Sequence, residues 1–337
     1  MQSAYPSAAA SDVHPTPFPD VNALVTGLLQ GVRAALGSQF VGMYLEGSLA
    51  SGDFDADSDI DFVVVTEQAV TDDLFCALRA LHERIAALDN PWAFELEGSY
   101  IPRDALRRHG PAPLIHPNIE RGRGERLKMA RHDEDWIIHR YTLRERGITL
   151  VGPPPDTLID PIAPEDLRHA ALAVLRDWWL LMVDDPAPLA MRGYQSYAVL
   201  SLCRILYTLE HGAVASKREA AQWARGVLDS RWGPLIDRAW EGRSAPDADA
   251  PPEDVRETLA FIRNALERSR AGGGSDARAL GERAGSGGEP RRHRRGTGPA
   301  ARDSHAARPT GAVGSHSRYD AYRGGRAARR LGRLDHG

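Results

Sequence analysis

The sequence predicts an α+β fold: a small mixed sheet with helices, then an α-helical bundle, then an Arg/Gly-rich tail. Three observations predict it. Short apolar and β-branched runs between residues 40 and 102 are separated by one amphipathic helical segment, a strand–loop–strand–helix–strand order that suits a mixed sheet. From about residue 133 the apolar spacing turns helical, with short capped loops between the segments. Residues 271–337 have no apolar periodicity and are dominated by Gly, Arg, Ala and Ser, a composition expected to stay disordered.

The elements follow in order. Residues 1–19 hold Pro6, Pro15, Pro17 and Pro19 among small polar residues and read as a flexible lead-in. Asp20 is the expected N-cap of a helix, VNALVTGLLQGVRAAL, with Gly37 as its stop. FVGMYLEG is a buried strand running into a turn. The loop LASGDFDADS leads to a second strand, DIDFVVVT. Thr71 or Asp72 opens the helix DDLFCALRALHERIAAL, and WAFELEGSYIP alternates as a third strand. DEDWIIHRYTLRERG reads as a helix closed by Gly147 and carries the segment to 151; Pro-rich residues 152–164 read as a linker. Five helices follow over 165–270, with Gly212 closing one and Ser216 and Glu219 forming a capping box. Trp178, Trp179, Trp223 and Trp232 are expected in the bundle core.

Composition narrows the function. The 337 residues are 42% hydrophobic and 26% charged, an ordinary balance for about two domains. Two cysteines, Cys76 and Cys203, exclude a disulfide scaffold or a Cys-based zinc site. No apolar run approaches the ~18 residues of a membrane helix. The N-terminus has neither a basic start nor an apolar core, so a cytoplasmic protein is expected. The net charge is −4, yet residues 270–337 carry 15 Arg against six acids, which leaves −13 on residues 1–269. An acidic body argues against non-specific nucleic-acid binding and for cationic ligands or metal ions. Of 42 basic residues only Lys128 and Lys217 are lysines.

The sharpest pattern is Gly47-Ser48, ten residues, then Asp59-Ile60-Asp61 opening the β-branched run behind it. Strand side chains alternate, so Asp59 and Asp61 share a face and repel unless a cation sits between them. Such oxygen ligands suit Mg²⁺, which takes one or two protein carboxylates together with phosphate oxygens. Gly47 lets the backbone pass close to a phosphate, and Ser48 can donate a hydroxyl to it. A calcium loop starting at Asp53 fails, because Ser58 stands at the sixth position and Val64 at the twelfth. Glu95 and Glu97 lie two apart in the third strand, and one of them is expected to serve as general base.

Gly-Ser, ten residues and Asp-Ile-Asp resemble the signature of the polymerase-β-like nucleotidyltransferases. Over roughly residues 20–265 the chain resembles the streptomycin and spectinomycin adenylyltransferases. The linker GITLVGPPPDTLIDPI and the helical stretch LSLCRILYTLEHGAVASKREAAQWA carry that likeness. The resemblance implies a nucleotidyltransferase domain over 20–151 and AMP transfer from ATP to a hydroxyl of a cationic aminoglycoside, with release of pyrophosphate. It implies that Asp59 and Asp61 bind Mg²⁺, that Glu97 is the base, and that Gly47, Ser48 and Ser58 lie against the phosphates. It also implies that Arg204 and Lys217 reach the triphosphate from the helical domain. Lys217 follows Ser216 at a helix N-terminus, where the backbone favours anions, and this agrees independently. The likeness departs at two places: the acids that hold the drug align with Ala190 and Tyr194, and the substrate-contacting Trp has no counterpart in IERGRGERLKMARHDEDW. Asp133, Glu134, Asp135, Asp184 and Asp185 are other sources of negative charge. A monomer is expected, with ATP and a small cationic acceptor as partners. The alternatives are nucleotidyl transfer to a protein or tRNA in a toxin–antitoxin setting, or a non-catalytic nucleotide-binding module.

Overall fold

A six-stranded mixed sheet with order β5-β4-β3-β2-β1-β6 organises the N-terminal half of the computed structural model, which describes residues 15–110 and 114–284. β1 (Phe40–Leu45) pairs antiparallel with β2 (Ile60–Thr66), and β2 pairs parallel with β3 (Leu96–Pro102). A parallel neighbour requires a crossover, which α3 (Asp72–Ala86) supplies. β4 (Leu114–Ile119) and β5 (Lys128–His132) extend one edge, and β6 (Ile148–Val151) closes the other against β1.

Side-chain alternation gives the sheet two buried faces. Met43, Leu45, Ile60, Phe62, Val64, Leu96 and Tyr100 face α1 (Pro19–Leu36) and α3. Tyr44, Val63, Val65 and Ile101 face the other way, against α4 (Arg103–Arg107), α5 (Asp135–Arg146) and α6 (Pro155–Leu158). The long apolar runs in the central strands follow from this double burial.

The helical half comprises α7 (Pro164–Val174), a π-helical turn at Leu175–Trp179, α8 (Leu181–Asp184), α9 (Arg192–His211), α10 (Lys217–Val227), α11 (Gly233–Glu241) and α12 (Pro252–Ala284). Its core joins Leu175, Trp179, Tyr194, Val199, Leu206, Trp232 and Phe261, with Trp178 and Trp223 packed against it. The Ser216/Glu219 capping box is present, and Gly212 caps α9 in the left-handed conformation. The two halves meet where Ile137 of α5 packs with Leu167, Ala170 and Val214. Charged pairs span the same junction: Arg218 to Asp53, Arg146 to Glu219, and Arg243 to Asp55 through two bonds of 2.8 and 2.9 Å.

Several expectations are corrected. The last residues of the expected lead-in are packed on the domain: the Thr16 hydroxyl donates to Asn22, and Phe18 rests against Phe54 and Trp92. Phe18, not Asp20, holds the N-cap position, because Pro19 takes the first helical turn where its missing N–H costs nothing. The loop after β1 begins as a helical turn, α2 (Gly47–Ser51). Residues 92–95 turn before β3, so Glu95 precedes the strand. The linker is docked, with Leu158 and Ile159 buried on the sheet. α12 continues to Ala284, past the predicted break near 270; Gly272-Gly273-Gly274 is a weak stop once a docked helix has supplied the nucleus. Residues 1–14 and 285–337, with most of the expected lead-in and tail, lie outside the described residues.

Buried histidines give the fold an acid sensitivity. His82, whose Nε2 lies 2.7 Å from the Tyr100 hydroxyl, has its pKa pushed down from 6.5 to about 4 by burial. Below pH 6.5 the unfolded chain binds a proton there that the folded chain refuses until about pH 4. Its contribution is therefore complete above 6.5 and lost on acidification, on the order of 3 kcal/mol. The melting temperature is expected to fall from pH 7 to pH 5, with a shallower slope in His82→Gln; equal slopes would remove His82 from the account.

Candidate active site

The alternation that builds the two cores also sets a row of carboxylates on the α5 side. In the parallel register Asp61 sits beside Glu97. On the other side the Glu46 N–H donates to the Asp61 carbonyl at 3.1 Å, one step past the Leu45–Phe62 pair. Glu46, Asp61 and Glu97 thus fall in register across β1, β2 and β3, on the face shared by Tyr44, Val63 and Ile101. Asp59 stands two residues before Asp61, and Asp59, Asp61 and Glu97 each bring an oxygen within 4.8 Å of the others. These are the three acids in which the sequence placed the chemistry.

Their electrostatics fit a divalent cation. Burial pushes the Asp61 pKa well above the ordinary carboxylate range, and the charges of Asp59, Glu97 and Glu46 push it further; Lys217 opposes them. Three crowded acids, one of them buried and held back from ionising, form a donor set that a hard, oxygen-seeking cation would complete.

Gly47 makes the crowding possible. Its φ is +62°, and a Cβ there would stand 1.8 Å from Asp61 Oδ2. Ser48 follows at the start of α2, its Oγ buried without a hydrogen-bond partner among the described residues. A buried hydroxyl with no partner is costly, and a phosphate oxygen would satisfy it. Lys217 opens α10 directly after the Ser216 cap. Arg204 is held in α9 by a bond from its Nε to the Ala215 carbonyl at 3.1 Å. Burial lowers its pKa, while Asp61, Tyr197 and Glu46 favour its charged form. Both cations belong to the helical half and interact electrostatically with Asp61 of the acid row.

Ser58 is engaged elsewhere. Its hydroxyl donates to Asp55 Oδ1 at 2.9 Å and accepts from the Asp55 N–H at 3.0 Å, tightening the loop that Arg243 grips. Glu95 lies outside the three-acid group, and Ile60 N donates to its carbonyl at 2.7 Å, which continues the ladder one step beyond β3. Ala190 ends a 3₁₀ turn and Tyr194 is buried in the first turn of α9, so neither supplies the missing acid. Asp133 pairs with Arg131 and Glu134 with His109.

Three site residues escaped the sequence. Glu46 is buried, takes His139 Nδ1 on Oε1 at 2.9 Å, and leaves Oε2 without a hydrogen-bond partner among the described residues. Extending the strand period one residue past Leu45 would have found it. Arg121, between β4 and β5, sets Nη1 3.6 Å from Asp59 and 3.7 Å from Glu95; Asp59 first, then Glu95, Glu97 and Asp61, raise its pKa. No local signal marked it, because the hairpin that carries it was not legible. His139 is placed by α5, stacked on Trp136, which stacks in turn on His132.

A family model described as "Nucleotidyltransferase domain" matches residues 29–102, and one described as "Aminoglycoside adenylyltransferase, C-terminal domain" matches 157–268. The chain is 24% identical over 253 residues to a spectinomycin 9-adenylyltransferase of Staphylococcus aureus, covering 72% of this chain and 93% of that protein. It is 25% identical over 271 residues to an aminoglycoside (3'') (9) adenylyltransferase of Escherichia coli, covering 74% and 96%. A crystal structure of spectinomycin adenyltransferase from Enterococcus faecialis with ATP and spectinomycin superposes with a TM-score of 0.56 at 17% identity, over 73% of this chain and 98% of that one. That last likeness establishes the shared fold.

Two outcomes follow from the crowding. Gly47→Ala is expected to lose nucleotide binding, read by calorimetry, since its Cβ collides with Asp61. Asp61→Asn is expected to raise the melting temperature of the chelator-treated protein. With the folded pKa raised, the acid's stabilising protonated state is present at low pH and lost as pH rises through it. The gain should therefore grow from pH 5 to pH 8; a gain that is flat with pH would show that Asp61 carries no such burden.

Proposed function

Because the chain belongs to the aminoglycoside adenylyltransferase family, within the nucleotidyltransferases, we infer that it transfers AMP from ATP to a hydroxyl of an aminoglycoside and so confers resistance to it. The observation that carries this reading is the meeting of Asp59, Asp61 and Glu97 with the Gly47-Ser48 turn after β1 and with Arg204 and Lys217 of the helical half.

The residues divide the work by position. Asp59 and Asp61 would hold Mg²⁺, which when bound offsets the triphosphate charge and polarises the α-phosphorus. Ser48, with the backbone kept close by Gly47, holds phosphate oxygens; Lys217 and Arg204 neutralise the departing end. Glu97 takes the proton of the acceptor hydroxyl. The acceptor oxygen then bonds to the α-phosphorus as the bond from that phosphorus to the bridging oxygen breaks, and both electrons leave with pyrophosphate. The −13 charge on residues 1–269 favours arrival of a polycationic acceptor.

Purified protein given ATP, Mg²⁺ and streptomycin or spectinomycin should release pyrophosphate only when all three are present. Release without an aminoglycoside but with protein or tRNA would redirect the reading to a macromolecular acceptor. Asp61→Asn should leave no measurable turnover. Glu97→Gln should lower kcat by ~10²–10⁴ with little change in the KM for ATP; the same loss in Glu95→Gln instead would move the base.

A further inference from the structure

The acceptor's seat follows from the order of the strands. Ser48 follows β1, Asp61 lies on β2 and Glu97 on β3. In-line displacement puts the attacking and leaving oxygens on opposite sides of the phosphorus. If Glu97 receives the proton, the acceptor approaches from the β3 side while pyrophosphate departs on the β1 side, toward Ser48 and toward Arg204, whose charged form Glu46 at the end of β1 favours. The acceptor's body must then extend past β3 toward the β4–β5 hairpin; there Glu120, one step past the Gly98–Ile119 pair, is already held by Lys128 at 3.4 Å, while Arg121 reaches back to Glu95 at the entrance of β3.

That place holds an ion pair suited to exchange. Arg121 Nη1 stands 3.6 Å from Asp59 and 3.7 Å from Glu95, longer than a hydrogen-bonded pair. The Arg121 side chain is 43% exposed and that of Glu95 34%, so solvent and a ligand reach both. Neither contact is a hydrogen bond, so a cation placed closer to Glu95 can exchange for Arg121 there. Gly122 and Gly124 flank the following residue with φ of +133° and +88°, a turn that side chains with a Cβ rarely adopt, and the Gly122 N–H ties it to the Phe94 carbonyl at 2.7 Å, which brings Arg121 beside Glu95. Arg121 is thus a cation of the chain itself, resting on carboxylates beside the base, in the space the acceptor enters. The helical half offers no acid at Ala190 or Tyr194, so a cationic acceptor needs its counter-charge elsewhere.

We propose that Glu95 anchors a cationic group of the acceptor, and that Arg121 occupies that anchor until the acceptor displaces it. The proposal rests on the adenylyl-transfer reading and names its specificity-determining residues. Glu95 holds the acceptor's ammonium or guanidinium while its hydroxyl meets Glu97, about one residue pair further along the ladder. Arg121 competes for the same carboxylate and sets a threshold that only a well-placed cation passes.

The test is steady-state kinetics of the full-length protein at saturating Mg²⁺, with ATP and streptomycin or spectinomycin varied in turn. Glu95→Gln is expected to raise the acceptor KM about tenfold, with a smaller change in kcat and in the KM for ATP. Arg121→Gln is expected to lower the acceptor KM about threefold, and that gain should vanish in the Glu95→Gln/Arg121→Gln double variant, since the two share one contact. A rise in the KM for ATP in Arg121→Gln would make Arg121 a nucleotide clamp and overturn the proposal. So would an unchanged acceptor KM in Glu95→Gln. Should the wild-type protein turn over neither drug, the transfer reading fails and the proposal falls with it; turnover without these shifts sinks the proposal alone.

Discussion

Repulsion among like charges organises this molecule. Strand alternation forces Glu46, Asp61 and Glu97 onto one face in register, and Asp59 joins them from the strand's entrance. A sheet of this size would be more stable with neutral residues there. The fold tolerates the row because both sheet faces are otherwise packed with apolar side chains, so the penalty is confined to one end of three strands. The chain offsets part of it with its own cations, Arg121 from the β4–β5 hairpin and Arg204 and Lys217 from the helical half, and with the hydrogen bond between His139 Nδ1 and Glu46. The remaining deficit, seen in the raised pKa of Asp61, is the site's affinity for added positive charge.

That division explains why the junction between the halves is built with care. Arg204 and Lys217 act on the acid row only if α9 and α10 are held at a fixed distance from the sheet. A small apolar contact, Ile137 against Leu167, Ala170 and Val214, sets the approach, and the pairs at Asp53 and Asp55 set the orientation. The loop from Gly52 to Ser58 therefore serves as a strut. Its acids grip Arg218 and Arg243, and Ser58 braces Asp55 instead of reaching a phosphate.

Much of this was legible in the sequence for a physical reason. The central strands and the long helices are amphipathic or buried on both faces, and their spacing records it. The Ser216/Glu219 box and Gly212 mark real helix ends because backbone groups there need those partners. Asp59, Asp61 and Glu97 were found because local spacing and strand alternation suffice to place them together. The β4–β5 hairpin was not legible: its strands pair at a sheet edge, half exposed, with charged residues and a proline that mask the alternation. Arg121 was hidden with it, since its role depends on where the hairpin returns. Glu46 was missed because it stands one residue beyond the strand's apolar run, where a turn residue is the ordinary reading. Ser58 shows the opposite error, a suggestive position whose hydroxyl is taken by its own loop.

The placement of acids also bears on how such a site discriminates among cationic acceptors. An acid on the helical half could attract the acceptor's cation whether or not the halves are docked. In the proposed arrangement an acid at Glu95 acts only beside Glu97, at the entrance of β3, so that the anchored cation and the reacting hydroxyl would be held two residues apart. Attraction at that point acts on orientation as well as encounter, and orientation is what an attacking hydroxyl needs. Arg121 sharpens the requirement, because any acceptor must replace a charge already present instead of filling an empty well. Shifting the counter-charge from the helices to the sheet thus trades general affinity for polycations against a demand on the geometry between one cation and one hydroxyl.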